Sequence, residues 1–440
     1  MAEVNYRGIA LAGAEGGYSE LGIKVSEQIL PKLFADVAYV KGYMVDGKYE
    51  FDAQNAASII VPTLSRPKGR FRDMKAPSFD PYNPNRDRVN QGHITIEIDR
   101  EYDEIIDIPE ATLVQNMIGN SIVSTMADYV GKIVAENINY ITADAMIKAS
   151  NEYNSELVEG RRKIAYLGAN NSVADAFAAL KAKIGNADPS KGDTSFNGLP
   201  MSAVISNTLE ATLLQTKNQF ILESSYGQEL LIEGTFGRIT LGDNVAYRGR
   251  IQGINVFALP DGFFPNEYSS ELDFTEVPTK GSVLGVIAVP ESTYRQFVDR
   301  GIKITDSNKF RGFCLQPLYR VGVTVAKPWG IGLLVSEDYV SESLLAEPKT
   351  LTWVAGAASK QSKVTTVLGE GETALYKVGE HDVVRGKAYA NGTDGWVTLT
   401  VNTTNVANLS EGSVVTVAII KDGKAVAREV HKFTATEIAA

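Results

Sequence analysis

The sequence predicts an α+β protein. Three observations carry this reading. Apolar residues recur at three- and four-residue spacing over one long stretch, from Pro109 to about Ser150. Strand-like and helix-like segments then alternate from about 200 to 345. From 350 onward the helical period disappears, and short strands with turn residues between them take over.

The chain has 440 residues, 44% hydrophobic and 22% charged. That is ordinary globular composition, enough for two or three domains. The net charge of −10 speaks against a whole-surface grip on nucleic acid, which draws on clustered Lys and Arg. The single cysteine, Cys314, excludes an intrachain disulfide, and a reducing compartment is the simpler expectation. MAEVNYRGIALAGAEGGYSELG has no charged segment leading into an apolar core, so no signal peptide is expected. No apolar run approaches the ~18 residues of a membrane span.

Residues 1–24 are rich in Gly and Ala and read as an arm that orders only against something else. VSEQILPKLFADVAYV (25–40) reads as a short helix entering a strand, with Ser26 as N-cap. KGYMVDGKYEF (41–51) reads as a hairpin turning at Asp46-Gly47. ASIIVPTL (57–64) and HITIEIDREYDEIIDIP (93–109) read as strands, the second alternating Ile94, Ile96 and Ile98 with Thr95 and Glu97. Between them lies SRPKGRFRDMKAPSFDPYNPNRDRVNQG (65–92), with seven basic residues, four prolines and little to bury. A compact domain rarely needs so long a connection.

In the long helical stretch, Pro109 suits the first helical position and Glu110 the favourable end of the dipole. About 40 residues of helix would span roughly 60 Å, more than a small domain's diameter. VADAFAALKAKIG (173–185) and TLEATLLQT (208–216) read as shorter helices, and ESTYRQFVD (291–299) as another. SAVIS (202–206), GINVFALP (253–260), SVLGVIAVP (282–290) and GIKIT (301–305) read as strands. FCLQPLYRVGVTVAKPWGIGLLV (313–335) reads as two strands broken at Lys327-Pro328-Trp329-Gly330. KVTTVLG, ALYKV, WVTLTVN, SVVTVAII and KAVAREVHKF are short strands, the last two joined at Asp422-Gly423, and suggest a small β-sandwich.

Motifs for chemistry are absent or weak. His93, His381 and His431 have no Cys or second His at metal-ligand spacing, and read as surface or strand residues. There is no G-x-S-x-G elbow, and Cys314 reads as packing inside an apolar strand. GAEGGYSELG (13–22) lacks the preceding strand and the following Lys-Ser/Thr of a phosphate loop. Acid pairs such as Glu101 with Asp103, or Glu370 with Glu372, could serve a glycosidase, but among 53 acids such pairs arise by chance.

Charge pattern says more. Arg66, Lys68, Arg70, Arg72, Lys75, Arg86 and Arg88 stand against Asp73, Asp80 and Asp87. The following segment carries Glu97, Asp99, Glu101, Asp103, Glu104, Asp107 and Glu110 against Arg100 alone. A basic projecting loop and an acidic strip on one chain suit a head-to-tail contact between subunits. A solvated loop is the plain alternative; nucleic-acid binding is another, but only Phe71, Phe79 and Tyr82 could stack bases there, and they are not in a strand platform.

In order, the pieces are an arm, a short helix, a hairpin, a projecting loop, a very long helix, an α+β core and a final strand pair. This order resembles the major capsid proteins of tailed bacteriophages, the Hong Kong-97-type fold, over roughly residues 18 to 340. YSELGIKVSEQILPKLFADVAYVKGY is similar to the family's opening helix. ASIIVPTL and GHITIEIDREYDEIIDIPEATLVQNM are similar to the flanks of its extended loop running into the spine helix. GRIQGINVFALPDG and YRVGVTVAKPWGIGLLV are similar to the late strands of its axial and peripheral domains.

The resemblance implies an N-terminal arm and helix (1–47), an extended two-stranded loop (48–108), and a spine helix with peripheral domain (109–200). An axial domain with the returning peripheral strands (201–345) follows, then an appended Ig-like β-domain (346–440). It implies a non-enzymatic shell protein that assembles as pentamers and hexamers around double-stranded DNA, with scaffolding and portal proteins as partners. Such a protein forms in the host cytoplasm and ends in the virion; no membrane, cofactor, metal or catalytic residue is implied. The loop would lie across a neighbouring subunit through Arg66, Lys68, Arg70, Arg72, Arg86 and Arg88, with Glu101, Asp103 and Glu104 as partners. Some relatives cross-link a loop lysine to a neighbour's asparagine. Lys68 and Lys75 lie in the right region, but no acid or asparagine matches, so that chemistry is not carried over. The alternatives are an encapsulin-like nanocompartment shell and a carbohydrate-active protein with a β accessory domain.

Overall fold

The computed structural model describes residues 36–40, 42–46, 58–64, 91–103, 105–109, 119–168, 172–191, 193, 195–215, 245–266, 278–306 and 312–439. The arm, the connection at 65–90 and most of the opening helix lie outside these residues.

A six-stranded sheet is the centre of the main body. Its order is β5 (Ile164–Leu167), β13 (Ile331–Ser336), β10 (Val283–Ala288), β6 (Ser202–Ser206), β8 (Ile254–Leu259), β7 (Tyr247–Ile251). Strands β6, β8 and β13 are apolar almost throughout because both faces are covered. On one face Val204, Phe257 and Leu333 meet Ala143, Met146 and Ile147 of helix α1 (Gly119–Ser155), together with Tyr39, Met44 and Val45. On the other, Ala203, Ile205 and Leu334 meet Phe177, Leu180 and Ile184 of α2 (Val173–Gly185) and Leu209 of α3 (Asn207–Gln215). Helix α2 begins where expected because Ser172 caps it, accepting from the Asp175 N–H at 3.2 Å. A two-stranded pair, β9 (Pro278–Lys280) with β14 (Val340–Ser341), flanks this body.

The second sheet is built on β12 (Gly312–Val325). It pairs antiparallel with β11 (Thr293–Asp306) on one side and with β3 (Arg100–Asp103) and β4 (Ile106–Pro109) on the other. Three expectations are corrected here. ESTYRQFVD is not a helix, because from Thr293 it belongs to β11, where Phe297 stacks on Tyr319 at 5.5 Å. Aromatic and β-branched side chains facing a ready partner strand override a weak helical period. Pro109 does not start the long helix; it ends β4, opposite Gly312, and the helix is described from Gly119. The strand expected over 93–109 is three, β2 (Gln91–Glu97), β3 and β4, because the chain changes partners: β2 pairs with β1 (Ser58–Leu64) instead of β12.

The N-terminal pieces are also revised. Asp36 is helical and residues 37–40 run as irregular chain, not strand, yet Ala38 and Tyr39 are fully buried. A turn runs over residues 42–44, with Gly42 at φ +78°, and Asp46 forms a parallel bridge with Tyr294; the hairpin turn expected at Asp46-Gly47 lies outside the described residues.

After 346 the chain forms a five-stranded sheet, ordered β15 (Glu347–Pro348), β21 (Lys424–Lys432), β20 (Val414–Lys421), β18 (Glu372–Val378), β19 (Val397–Leu399). The turn at Asp422-Gly423 has φ of +52° and +77°, as a two-residue hairpin requires. The sheet carries apolar residues on both faces. Val415, Val417 and Ile419 pack under Trp353 and Val364 of the ribbon β16 (Trp353–Ala355) and β17 (Ser362–Val364). Ala418 and Ile420 pack under Val383, Tyr389 and Trp396 from the irregular segment between β18 and β19.

Candidate assembly interface

The flanks of the long connection pair along their whole described length, from Ser58 opposite Glu97 to Leu64 opposite Gln91. This two-stranded ribbon has a built root. On its inner face Ile59, Val61, Ile94 and Ile96 alternate toward the body, and Val61 and Ile96 are buried. The Thr324 hydroxyl of β12 donates to the Thr95 carbonyl at 3.2 Å. Gly322 lets β2 cross β12 closely, since a β-carbon there would fall on the Glu97 carbonyl. The outer face leaves Ile60 63% exposed, opposite Thr95. The ribbon is thus fixed at one end to strand β12 and turns an apolar side chain outward beyond it.

The acids of the segment divide. Glu101 accepts from Arg320 Nη2 at 2.9 Å, both partly exposed. Asp107 accepts from Cys314 Sγ at 2.7 Å, so the buried cysteine is held in place by the strand beside it. Asp99 lies 3.7 Å from its neighbour Arg100. Asp103 stands in β3, while Glu104 and the six basic residues Arg66, Lys68, Arg70, Arg72, Arg86 and Arg88 lie outside the described residues. Within one chain, therefore, the described partner of Glu101 is a body arginine. The other candidates are elsewhere: Glu372 pairs with Lys349 at 2.7 Å, and His431 lies between Glu429 and Glu437. Among the described residues no cluster of three metal-ligating side chains occurs. None of their helices is long and apolar enough to cross a membrane.

No family model matches the sequence, and no curated protein matches it. Solved structures do. The capsid of Ralstonia phage GP4 aligns at 7% identity over 70% of this chain and 90% of that one, with a TM-score of 0.47. This chain is similar to phage capsid structures. The capsid of cyanophage P-SCSP1u aligns at 11% identity over 67% and 86%, TM-score 0.37. The capsid of an empty GTA particle aligns at 12% over 65% and 87%, TM-score 0.40.

Several residues that build this region went unremarked in the sequence. Gly322 had a signal: a glycine inside the alternating run YRVGVTV marks a close backbone approach. Asn139 had none that periodicity could supply. It lies on α1, accepts from the Ala38 N–H at 2.9 Å and donates to the Asp36 carbonyl at 3.3 Å. Arg295 donates to the Tyr39 carbonyl at 2.8 Å and closes the same junction from β11.

Proposed function

We propose that this chain is a major capsid protein that self-assembles, without catalysis, into the icosahedral head shell of a tailed phage around double-stranded DNA. One observation carries the reading: a two-stranded ribbon, rooted on β12 beside a very long helix, leads out of the body into a basic, proline-rich connection. Helix α1 has 37 residues, about 55 Å at 1.5 Å per residue. A ribbon of this kind finds its remaining partners on another subunit, and prolines along it discourage wrong strand pairing. Loop cations then meet the acids near Glu101, Asp103 and Glu104 of a neighbour. Pentamers and hexamers of the chain, with scaffolding and portal proteins, complete the head, which forms in the host cytoplasm. The divisions follow: arm and helix 1–47, extended loop 48–108, spine and peripheral domain 109–200, axial domain and returning strands 201–345, C-terminal Ig-like β-domain 346–440.

The test is particle mass. The chain is expressed with and without residues 1–24, alone and with candidate scaffold, and measured by light scattering and electron microscopy. Closed shells, or capsomers of five and six, are expected. A stable monomer at high concentration under every condition overturns the reading.

A further inference from the structure

We infer that the C-terminal β-region is mounted on the end of α1 as a fixed part, through a water-excluding joint with Arg162 at its centre. The joint unites three pieces: the helix end and the turn after it, the entry to the β-region at 344–346, and segment 383–386. Leu345 and Val384 form an antiparallel bridge, flanked by Arg385 N–H to the Leu344 carbonyl at 2.9 Å and Ala346 N–H to the Val383 carbonyl at 2.8 Å. Gly386 N–H donates to the Ala425 carbonyl at 2.8 Å, tying this segment to the sheet.

Arg162 is only 2% exposed. Its Nε donates to the Asn154 carbonyl at 3.1 Å and the Leu157 carbonyl at 3.3 Å, and its Nη2 to the Arg385 carbonyl. Among the described residues its hydrogen bonds all go to main-chain carbonyls, and Nη1 has none. Burying a guanidinium this way is costly. What offsets the cost is the helix end. Its last carbonyls lack intrahelical partners and form the negative pole of the dipole. At this end the buried Arg162 takes up two of the free carbonyls, those of Asn154 and of Leu157 in the turn after the helix. Burial accordingly lowers the Arg162 pKa, as it does that of Lys163, pushed down to about 8. Gly386, at φ +76°, turns the chain onto the helix end, where its missing β-carbon would sit 3.6 Å from the Leu157 carbonyl. An appendage on a loose tether would need none of these groups.

The joint lies within one chain and is independent of the shell reading. Hydrogen exchange on the unassembled full-length protein tests it, comparing wild type with Arg162→Met. In the variant, exchange at Ala346 and Arg385 should rise about tenfold or more, while Val415–Ile420 in β20 keep their protection. Unchanged exchange at the joint overturns the proposal, and so does an equal loss across β20. Should the variant not fold, wild type decides. Joint amides that are protected, yet exchange faster than β20, support the proposal; joint amides that are unprotected, or that exchange only with β20, overturn it.

Discussion

Gly322 shows how one missing side chain can position a whole ribbon. The β2 strand leaves its pairing with β1 at Glu97 and crosses β12 where Gly322 has no β-carbon. Gly322→Ala forces the two backbones apart. The expected cost is about 1–3 kcal/mol, as for other overpacked sites. Calorimetry of the unassembled subunit should show the main-body transition lowered and that of the C-terminal region unmoved. Asn139 acts at the same scale through polarity. Asn139→Ala leaves the buried Ala38 N–H without its acceptor, a loss of about 1–3 kcal/mol. Faster proteolysis within residues 36–46 would register it; unchanged proteolysis would mean the junction is held by apolar packing alone.

At the scale of elements, the C-terminal region shows how carboxylates fasten short strands. Glu372 is held below its usual range by Lys349, then by the Gly369 N–H. Glu437 is held below its range by the Thr434 N–H and hydroxyl, and further by His431. Groups with depressed folded-state pKa values stabilise the fold above their ordinary pKa, and that contribution fades as pH falls through the folded value. Glu429 has the opposite sign, since burial raises its pKa despite bonds from Leu351 and Trp353. The region should therefore lose stability below about pH 4.5, and Glu372→Gln with Glu437→Gln should flatten that loss in acid melts. Identical acid melts for wild type and double variant would assign the loss to other groups. Elements were legible where pattern and caps agreed: α2 and β6 begin and end as read, and both ribbon flanks were read as strands, the second from the alternation of Ile94, Ile96 and Ile98. They were illegible where two periods fit. In ESTYRQFVD, Tyr294, Phe297 and Val298 sit at helical spacing, and only the distant β12 decides for strand. Arg162 lies outside every periodic pattern and gave no hint of burial.

For the whole molecule, the sequence-level clue was the basic connection at 65–92, whose partners, on the shell reading proposed above, belong to another subunit. Reversing Arg70, Arg72 and Arg86 to Glu should leave secondary structure and melting behaviour intact while preventing shell formation, read by circular dichroism and electron microscopy. Normal shells from that triple variant would make the loop charges passengers. Strand β12 also sets an order of events. Glu101 and Arg320, which meet where β3 joins it, are 219 residues apart in the chain. Contacts so distant close slowly. At about 5–20 residues per second, synthesis delivers the ribbon flanks roughly 10–45 seconds before the strand that roots them. Until then a nascent subunit has no fixed ribbon. On the shell reading proposed above, the late strand works as a timer: competence to polymerise arrives only when most of the chain has left the ribosome.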